Sequence, residues 1–204
     1  MDIVLASGNA GKLAELRELF AGSGHRLRAQ SEFGIADADE TGLTFVENAL
    51  LKARHAAAAT GLPALADDSG LCVDALDGAP GLYSARYGGV HCDSARNIER
   101  LLGELRDVPD AARTARFHCA LALLRSADDP RPLLAEGSWE GRILHEPRGA
   151  RGFGYDPVFL DPENAMSAAE LDPAIKNAIS HRGRALAALK LRLPELGGPG
   201  AAAH

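Results

Sequence analysis

Ala66-Asp67-Asp68-Ser69-Gly70-Leu71 lies between two apolar segments, Leu62 to Ala66 before it and Leu71, Val73 and Leu76 after it. Where the strand ends relative to these residues decides how the rest of the fold is placed. Asp, Ser and Gly together favour a turn, so the strand is expected to stop here and the backbone to bend. On extended backbone consecutive side chains point to opposite faces, so Asp67 and Asp68 should do different work. One can face a cleft and hold a hard cation, while the other turns inward and ties down the backbone. A solvated acidic turn is the plain alternative.

Working outward, the chain opens with Asp2-Ile-Val-Leu-Ala6, a strand of buried type. It passes through Ser7-Gly8-Asn9-Ala10-Gly11-Lys12 into a helix with Leu13, Leu16, Leu19 and Phe20 on one stripe. Glycines at a strand-to-helix turn expose backbone N–H groups at the positive end of the helix, and Lys12 adds a full charge. Ser7 to Lys12 therefore read as a phosphate site, or as an ordinary turn. The spacing is not that of a Walker loop, and Leu13 stands where a magnesium-binding hydroxyl would be; nor is it a dinucleotide fingerprint. Further on, Asp39 and Glu40 sit in a polar stretch that reads either as a solvated loop or as metal ligands. Thr44-x-x-Glu47 matches a capping box, which predicts a helix to about Thr60 with Val46, Ala49, Leu50, Ala53 and Ala57 on its apolar stripe. That helix supplies Lys52.

Beyond the acidic pair, Gly78 to Gly81 breaks the chain, and Asp93 or Ser94 caps a helix carrying Ile98, Leu101, Leu102 and Leu105. Thr114 to Leu124 and Leu133 to Leu144 read as neighbouring antiparallel strands, with Phe117 and Trp139 in the core and His118 a strand residue. Gly149-Ala-Arg-Gly152-Phe153-Gly154-Tyr155-Asp156-Pro157 offers flat apolar faces and a carboxylate from a glycine-rich loop, a combination that suits stacking on a base. Its alternative is a plain turn entering the strand Val158 to Leu160. Ser180 is a good N-cap for a last helix, which puts His181 and Arg182 in its first turn. Cations are unfavourable there unless an anion is near. Lys12 meets the same conflict, and together they point to an electron-rich ligand.

Composition bounds these readings. A chain of 204 residues suits one domain, or two closely joined lobes, with residues 1–196 structured and 197–204 a flexible tail. Apolar residues at 46% and charged residues at 25% are ordinary globular proportions, and a net charge of −6 argues against a nonspecific binder of nucleic acid or of an anionic membrane. The cysteines, Cys72, Cys92 and Cys119, have no metal-ligand spacing and leave an odd thiol. With no signal peptide or transmembrane stretch, they predict a cytoplasmic protein.

Ser-Gly-Asn-x-Gly-Lys with Glu15 beyond it, Thr44-x-x-Glu47-Asn-Ala, Ala-Asp-Asp-Ser-Gly-Leu, Gly-Ala-Pro-Gly-x-Tyr-Ser-Ala-Arg-Tyr, Phe-Gly-Tyr-Asp-Pro and Lys-x-x-x-Ser-His-Arg occur in that order. The series resembles the inosine triphosphate pyrophosphatase family, from about Ile3 to Leu193. The resemblance implies an α/β fold, a long twisted mixed sheet flanked by helices, with an active cleft between two lobes. It implies hydrolysis of inosine, deoxyinosine and xanthosine triphosphates to the monophosphate and pyrophosphate, with magnesium, in a homodimer. Carried across, Ser7, Gly8, Asn9, Ala10, Gly11 and Lys12 would wrap the triphosphate, aided by Lys52. Asp68 would bind magnesium and act as the base for water, with Ser69 on the substrate. Phe153, Gly154, Tyr155, Asp156, Lys176, His181 and Arg182 would hold the nucleoside. A second metal ligand would be Asp39 or Glu40. His181 and Arg182 are donors, matched to the oxygen at position 6 of hypoxanthine and mismatched to the amino group of adenine. A nucleotide-binding regulator without turnover is the other reading.

Overall fold

The computed structural model describes residues 1–90 and 93–197. Cys92, the expected tail beyond Gly197 and the side chain of Leu19 lie outside the described residues. The elements are β1 (Asp2–Ala6), α1 (Ala10–Phe20), β2 (Arg26–Ala29), α2 (Phe45–Thr60), β3 (Ala64–Val73) and α3 (Ser94–Glu104). They continue with β4 (Thr114–Leu124), β5 (Leu133–Ile143), β6 (Phe159–Asp161), β7 (Met166–Ser167), α4 (Pro173–Ile179) and α5 (His181–Arg192). The fold is α/β, with the strands in the order β2-β1-β3-β4-β5-β6-β7. β1 pairs parallel to β2 and β3, whereas β6 pairs antiparallel to β5 and β7, so the sheet is mixed.

The chain divides into two compact units, one of Met1–Asp68, Cys119–Gly137 and the segment from Arg182, the other of Ser69–His118 and Ser138–His181. In the first, strand alternation builds a core on each face of the sheet. Ile3, Leu5, Leu65, Cys119, Leu121 and Leu123 meet Leu16 and Phe20 of α1 and Ala185, Leu186 and Leu189 of α5. The opposite face is made of small residues: Val4, Ala6, Ala64, Ala66, Ala120 and Ala122 meet Ala49, Ala53, Ala56 and Ala57 of α2. Thr44 caps α2 by accepting the Glu47 N–H at 3.1 Å, and the Glu47 carboxylate accepts the Leu43 N–H at 2.8 Å. The capping box thus closes one residue earlier than its simplest form.

In the second unit the sheet is apolar on one side. Leu71, Val73, Ala115, Phe117, Trp139, Ile143 and Phe159 pack with Leu101 and Leu105 of α3. The other side of β4 carries Thr114, Arg116 and His118, with Arg116 bonded to Asp74 and Glu140, and His118 Nδ1 3.0 Å from Ser138 Oγ. Phe117 and Trp139 are core residues and His118 is a strand residue, as their positions in the sequence predict.

Two buried phenols in this unit make a test of the core. Tyr155 donates to the Ser84 carbonyl at 2.9 Å, and Tyr87 donates to Glu104. Burial, with the Glu104 bond, pushes Tyr87 up to about 12, and burial raises Tyr155 as well. Unfolded tyrosines ionise near pH ~10, so the stability from Tyr87 is full below that value and is lost as the pH rises through about 12. That from Tyr155 is likewise lost only above its ordinary value. An absorbance titration with Tyr87→Phe and Tyr155→Phe for assignment should find both groups protonated about one pH unit beyond the ordinary midpoint. Ionisation of either near its ordinary value in folded protein contradicts this packing.

Two expectations are corrected. β3 does not end at the acidic pair but runs unbroken from Ala64 to Val73. Turn propensity yields here to ladder pairing, because β3 has a neighbouring strand on each side. The second is α4, which the sequence reading passed over although Asp172-Pro173 is a helix-start signal. Asp172 accepts the Ala174 N–H at 2.9 Å and Pro173 takes the first helical position.

Candidate active site

Val4, Leu5 and Ala6 of β1 lie opposite Ala64, Leu65 and Ala66 of β3. Asp67 and Asp68 therefore fall just past the C-terminal end of β1, where the chain turns through Ser7, Gly8 and Asn9 into α1. In open α/β sheets this edge is where ligands bind. Asn9 caps α1 by accepting the Lys12 N–H at 3.1 Å, and its own N–H donates to Ser7 Oγ at 3.2 Å. Gly8 and Ala10 are exposed, and Ser7, Asn9, Gly11 and Lys12 partly so. The turn is open to a ligand and shaped by its own side chains.

The pleat sends the two carboxylates to opposite faces. Asp67 points to the side of α1 and α5, where Lys12 Nζ lies 2.6 Å from Oδ1 and Arg182 Nε donates to Oδ2 at 2.8 Å. The Cys119 thiol donates to the same Oδ2 at 3.2 Å, and Arg182 also pairs with Glu15. Asp67 is 1% exposed. Burial alone would raise its pKa, but Arg182 and Lys12 outweigh that and hold the carboxyl well below its ordinary value. A protein carboxylate thus supplies an electron-rich partner to both cationic helix starts. The expectation from sequence is an electron-rich ligand; what the structure shows is that cations this enclosed already have a local counter-charge in the resting protein.

Asp68 points to the side of α2. Lys52 Nζ lies 2.6 Å from its Oδ1 and 2.9 Å from Glu40 Oε1. Burial pushes the Asp68 carboxyl above its ordinary value, although Lys52 and Lys12 pull the other way. Burial likewise opposes the charge on Lys52, but Asp68 and Glu40 override it and raise its pKa. Glu40 is placed by the loop ahead of α2, where the Gly42 N–H donates to Asn48 Oδ1 at 2.8 Å. A Cβ at position 42 would lie 2.7 Å from Asn48 Oδ1 and from Glu47 Cβ, so only glycine lets the loop lie this close.

The second unit gathers the other candidates. Asp156 Oδ2 accepts the Phe153 N–H at 2.8 Å and the Lys176 ammonium at 2.6 Å. Lys176 Nζ stands 5.2 Å from the centre of the Phe153 ring, a cation–π contact. Gly152 has φ +74°, and a Cβ there would lie 2.1 Å from Asp156 Oδ2. Phe153 and Gly154 are half-buried, whereas the Tyr155 ring is buried in the core. His181 is buried and stacks on Phe117, with ring centres 4.8 Å apart and planes 15° from parallel. Ser69, next to Asp68 on β3, is half-buried.

A profile of the Ham1 family matches residues 3–192. The chain belongs to the Ham1 family. It is 62% identical over 194 residues to a dITP/XTP pyrophosphatase of Xanthomonas oryzae pv. oryzae, covering 95% of this chain and 98% of the relative. Its fold matches a solved HAM1 protein from Coxiella burnetii with a TM-score of 0.87 and 53% identity, over 96% of this chain and 99% of that one. It also matches a nucleoside-triphosphatase/dITP/XTP pyrophosphatase from Mycobacterium abscessus with a TM-score of 0.75 and 46% identity, over 93% and 98%.

In this Ham1 chain Asp39 and Glu40 stand in different surroundings. Glu40 shares Lys52 with Asp68, while Asp39 is exposed. Glu15 and Asp67 are the members that reasoning from sequence did not assign. The signal for Glu15 was its place one helical turn beyond Lys12, which puts both on one side of α1. The signal for Asp67 was strand alternation carried through the pair.

Proposed function

We propose that this chain hydrolyses inosine, deoxyinosine and xanthosine triphosphates to the nucleoside monophosphate and pyrophosphate, clearing non-standard purines from the nucleotide pool. The observation that carries the reading is the Asp68–Lys52–Glu40 cluster standing at the strand edge beside the glycine turn of α1. It agrees with the names of the relatives above.

Magnesium fits the donor set. Asp68 and Glu40 are both oxygen donors already gathered around one positive charge, that of Lys52. Among the described residues no cluster of three or more His, Cys, Asp or Glu side chains could hold a metal. Magnesium commonly takes one or two carboxylates and completes its shell with water and substrate phosphates, so two suffice. When bound it would neutralise charge on the triphosphate.

The chain's own groups do the rest. Lys12 and the N–H groups of the glycine turn bind the phosphates and stabilise charge on the leaving pyrophosphate. Asp68 accepts a proton as water adds to the α-phosphorus and the bond from that phosphorus to the bridging oxygen breaks. Phe153 offers a ring face to the base, Lys176 and Asp156 hold the loop that carries it, and His181 and Arg182 offer donors to the oxygen at position 6. We also propose a homodimer in a cytoplasmic, reducing compartment, consistent with the free thiols Cys72 and Cys119; sedimentation analysis tests the assembly.

Incubation of the protein with inosine triphosphate and magnesium should release pyrophosphate and inosine monophosphate in equal amounts, with no single phosphate. Adenosine triphosphate should be turned over at least about a hundredfold less efficiently. Release of single phosphate, or of nothing as a non-catalytic regulator would show, refutes the reading.

A further inference from the structure

We propose that Lys52 is an internal counter-ion that competes with the divalent cation for Asp68 and Glu40 until a triphosphate draws it away. The inference deepens the function proposed above and rests on its metal assignment. Its ammonium lies 2.6 Å from Asp68 and 2.9 Å from Glu40, with the side chain 12% exposed. The ammonium holds one oxygen of each carboxylate, Oδ1 of Asp68 and Oε1 of Glu40, and is a compact point charge. A divalent cation on the same two carboxylates would meet it as a like charge only a few ångströms away.

Among the described residues Lys52 pairs with Asp68 and Glu40. Its helix is seated by Ala49, Ala53 and Ala56, all with no exposed surface, so α2 cannot simply slide aside. Metal binding alone would therefore strand a largely buried ammonium, which is costly. A triphosphate removes that cost by offering its oxygens to Lys52 as the metal takes the carboxylates. Lys12 is in a gentler position, because Asp67 keeps Arg182 when Lys12 turns to a phosphate. The result is a site that resists an isolated cation and accepts cation and triphosphate together.

The test measures Mn2+ binding to the full chain without nucleotide, from the electron paramagnetic resonance signal of the free ion. Lys52→Met and Lys52→Gln should each bind Mn2+ about tenfold more tightly than the wild type, a coupling of ordinary size, while Lys52→Arg should bind as weakly as the wild type. Tighter binding in a neutral variant is opposite to what simple damage to the site would produce. Folded neutral variants that bind no more tightly than the wild type overturn the proposal. Adding Asp68→Asn to either neutral variant separates the two readings. If that change abolishes Mn2+ binding while Lys52→Met leaves affinity unchanged, the metal assignment stands and the counter-ion fails. If Asp68→Asn has no effect on binding, the metal assignment itself fails, and this proposal with it.

Discussion

Asp68→Asn should lower turnover of inosine triphosphate by about a thousandfold, within the range a general base supplies, while the protein stays folded and still binds nucleotide. The stability half of this expectation follows from the direction of the pKa shift. Burial raises the Asp68 carboxyl in the folded protein. Its favourable contribution is therefore complete below the unfolded carboxylate value near pH ~4 and is lost as the pH rises through the folded value. At neutral pH burial opposes the ionised group while its pair with Lys52 favours it, and Glu40 keeps Lys52 paired when the carboxylate becomes an amide. The chemical denaturation midpoint of Asp68→Asn at pH 7 should therefore fall far less than that of Asp67→Asn. Retained activity, or collapse of the fold, would remove Asp68 from the role assigned to it.

Its neighbour is expected to behave in the opposite way. Asp67→Asn should cost about 3–5 kcal/mol of stability at neutral pH, because it leaves the buried Arg182 and the half-buried Lys12 without their shared counter-charge. Here the folded pKa is depressed. The stability it brings is present above the unfolded value near ~4 and disappears as the pH falls through the lower folded value. The gap between wild type and Asp67→Asn in urea unfolding should accordingly be widest near pH 7 and narrow below pH ~4. A loss under about 1 kcal/mol at pH 7 would mean that Glu15 carries more of the load than the geometry assigns it. Adjacent residues of one strand, changed in the same way, would thus fail through different properties.

How far the site was legible in the sequence depends on the kind of interaction involved. The strand Asp2–Ala6, the helix beginning at Thr44 and the strand Thr114–Leu124 were readable because alternation and capping are local. The different employment of Asp67 and Asp68 was also readable, since it needs only the pleat. Their position within a strand was not. The Asp-Ser-Gly composition speaks for a turn, and what overrides it is pairing with strands distant in sequence. The counter-charge of Arg182 was hidden for the same reason, lying 115 residues away at Asp67. Tyr155 shows the limit of motif reading: among glycines it looked available for stacking, yet its ring is core and its hydroxyl is held by Ser84.

The alanine layer beneath α2 has a consequence for how this enzyme can drift. Methyl groups act there as a shim that sets the stand-off of the helix, and so the reach of Lys52 toward Asp68. Enlarging one of them, as in Ala53→Val, strains the packing at a cost of about 1–3 kcal/mol and lifts the lysine's anchor point. Mutations with no chemistry of their own can then retune the rate, and selection on catalysis reaches a layer that never meets a nucleotide.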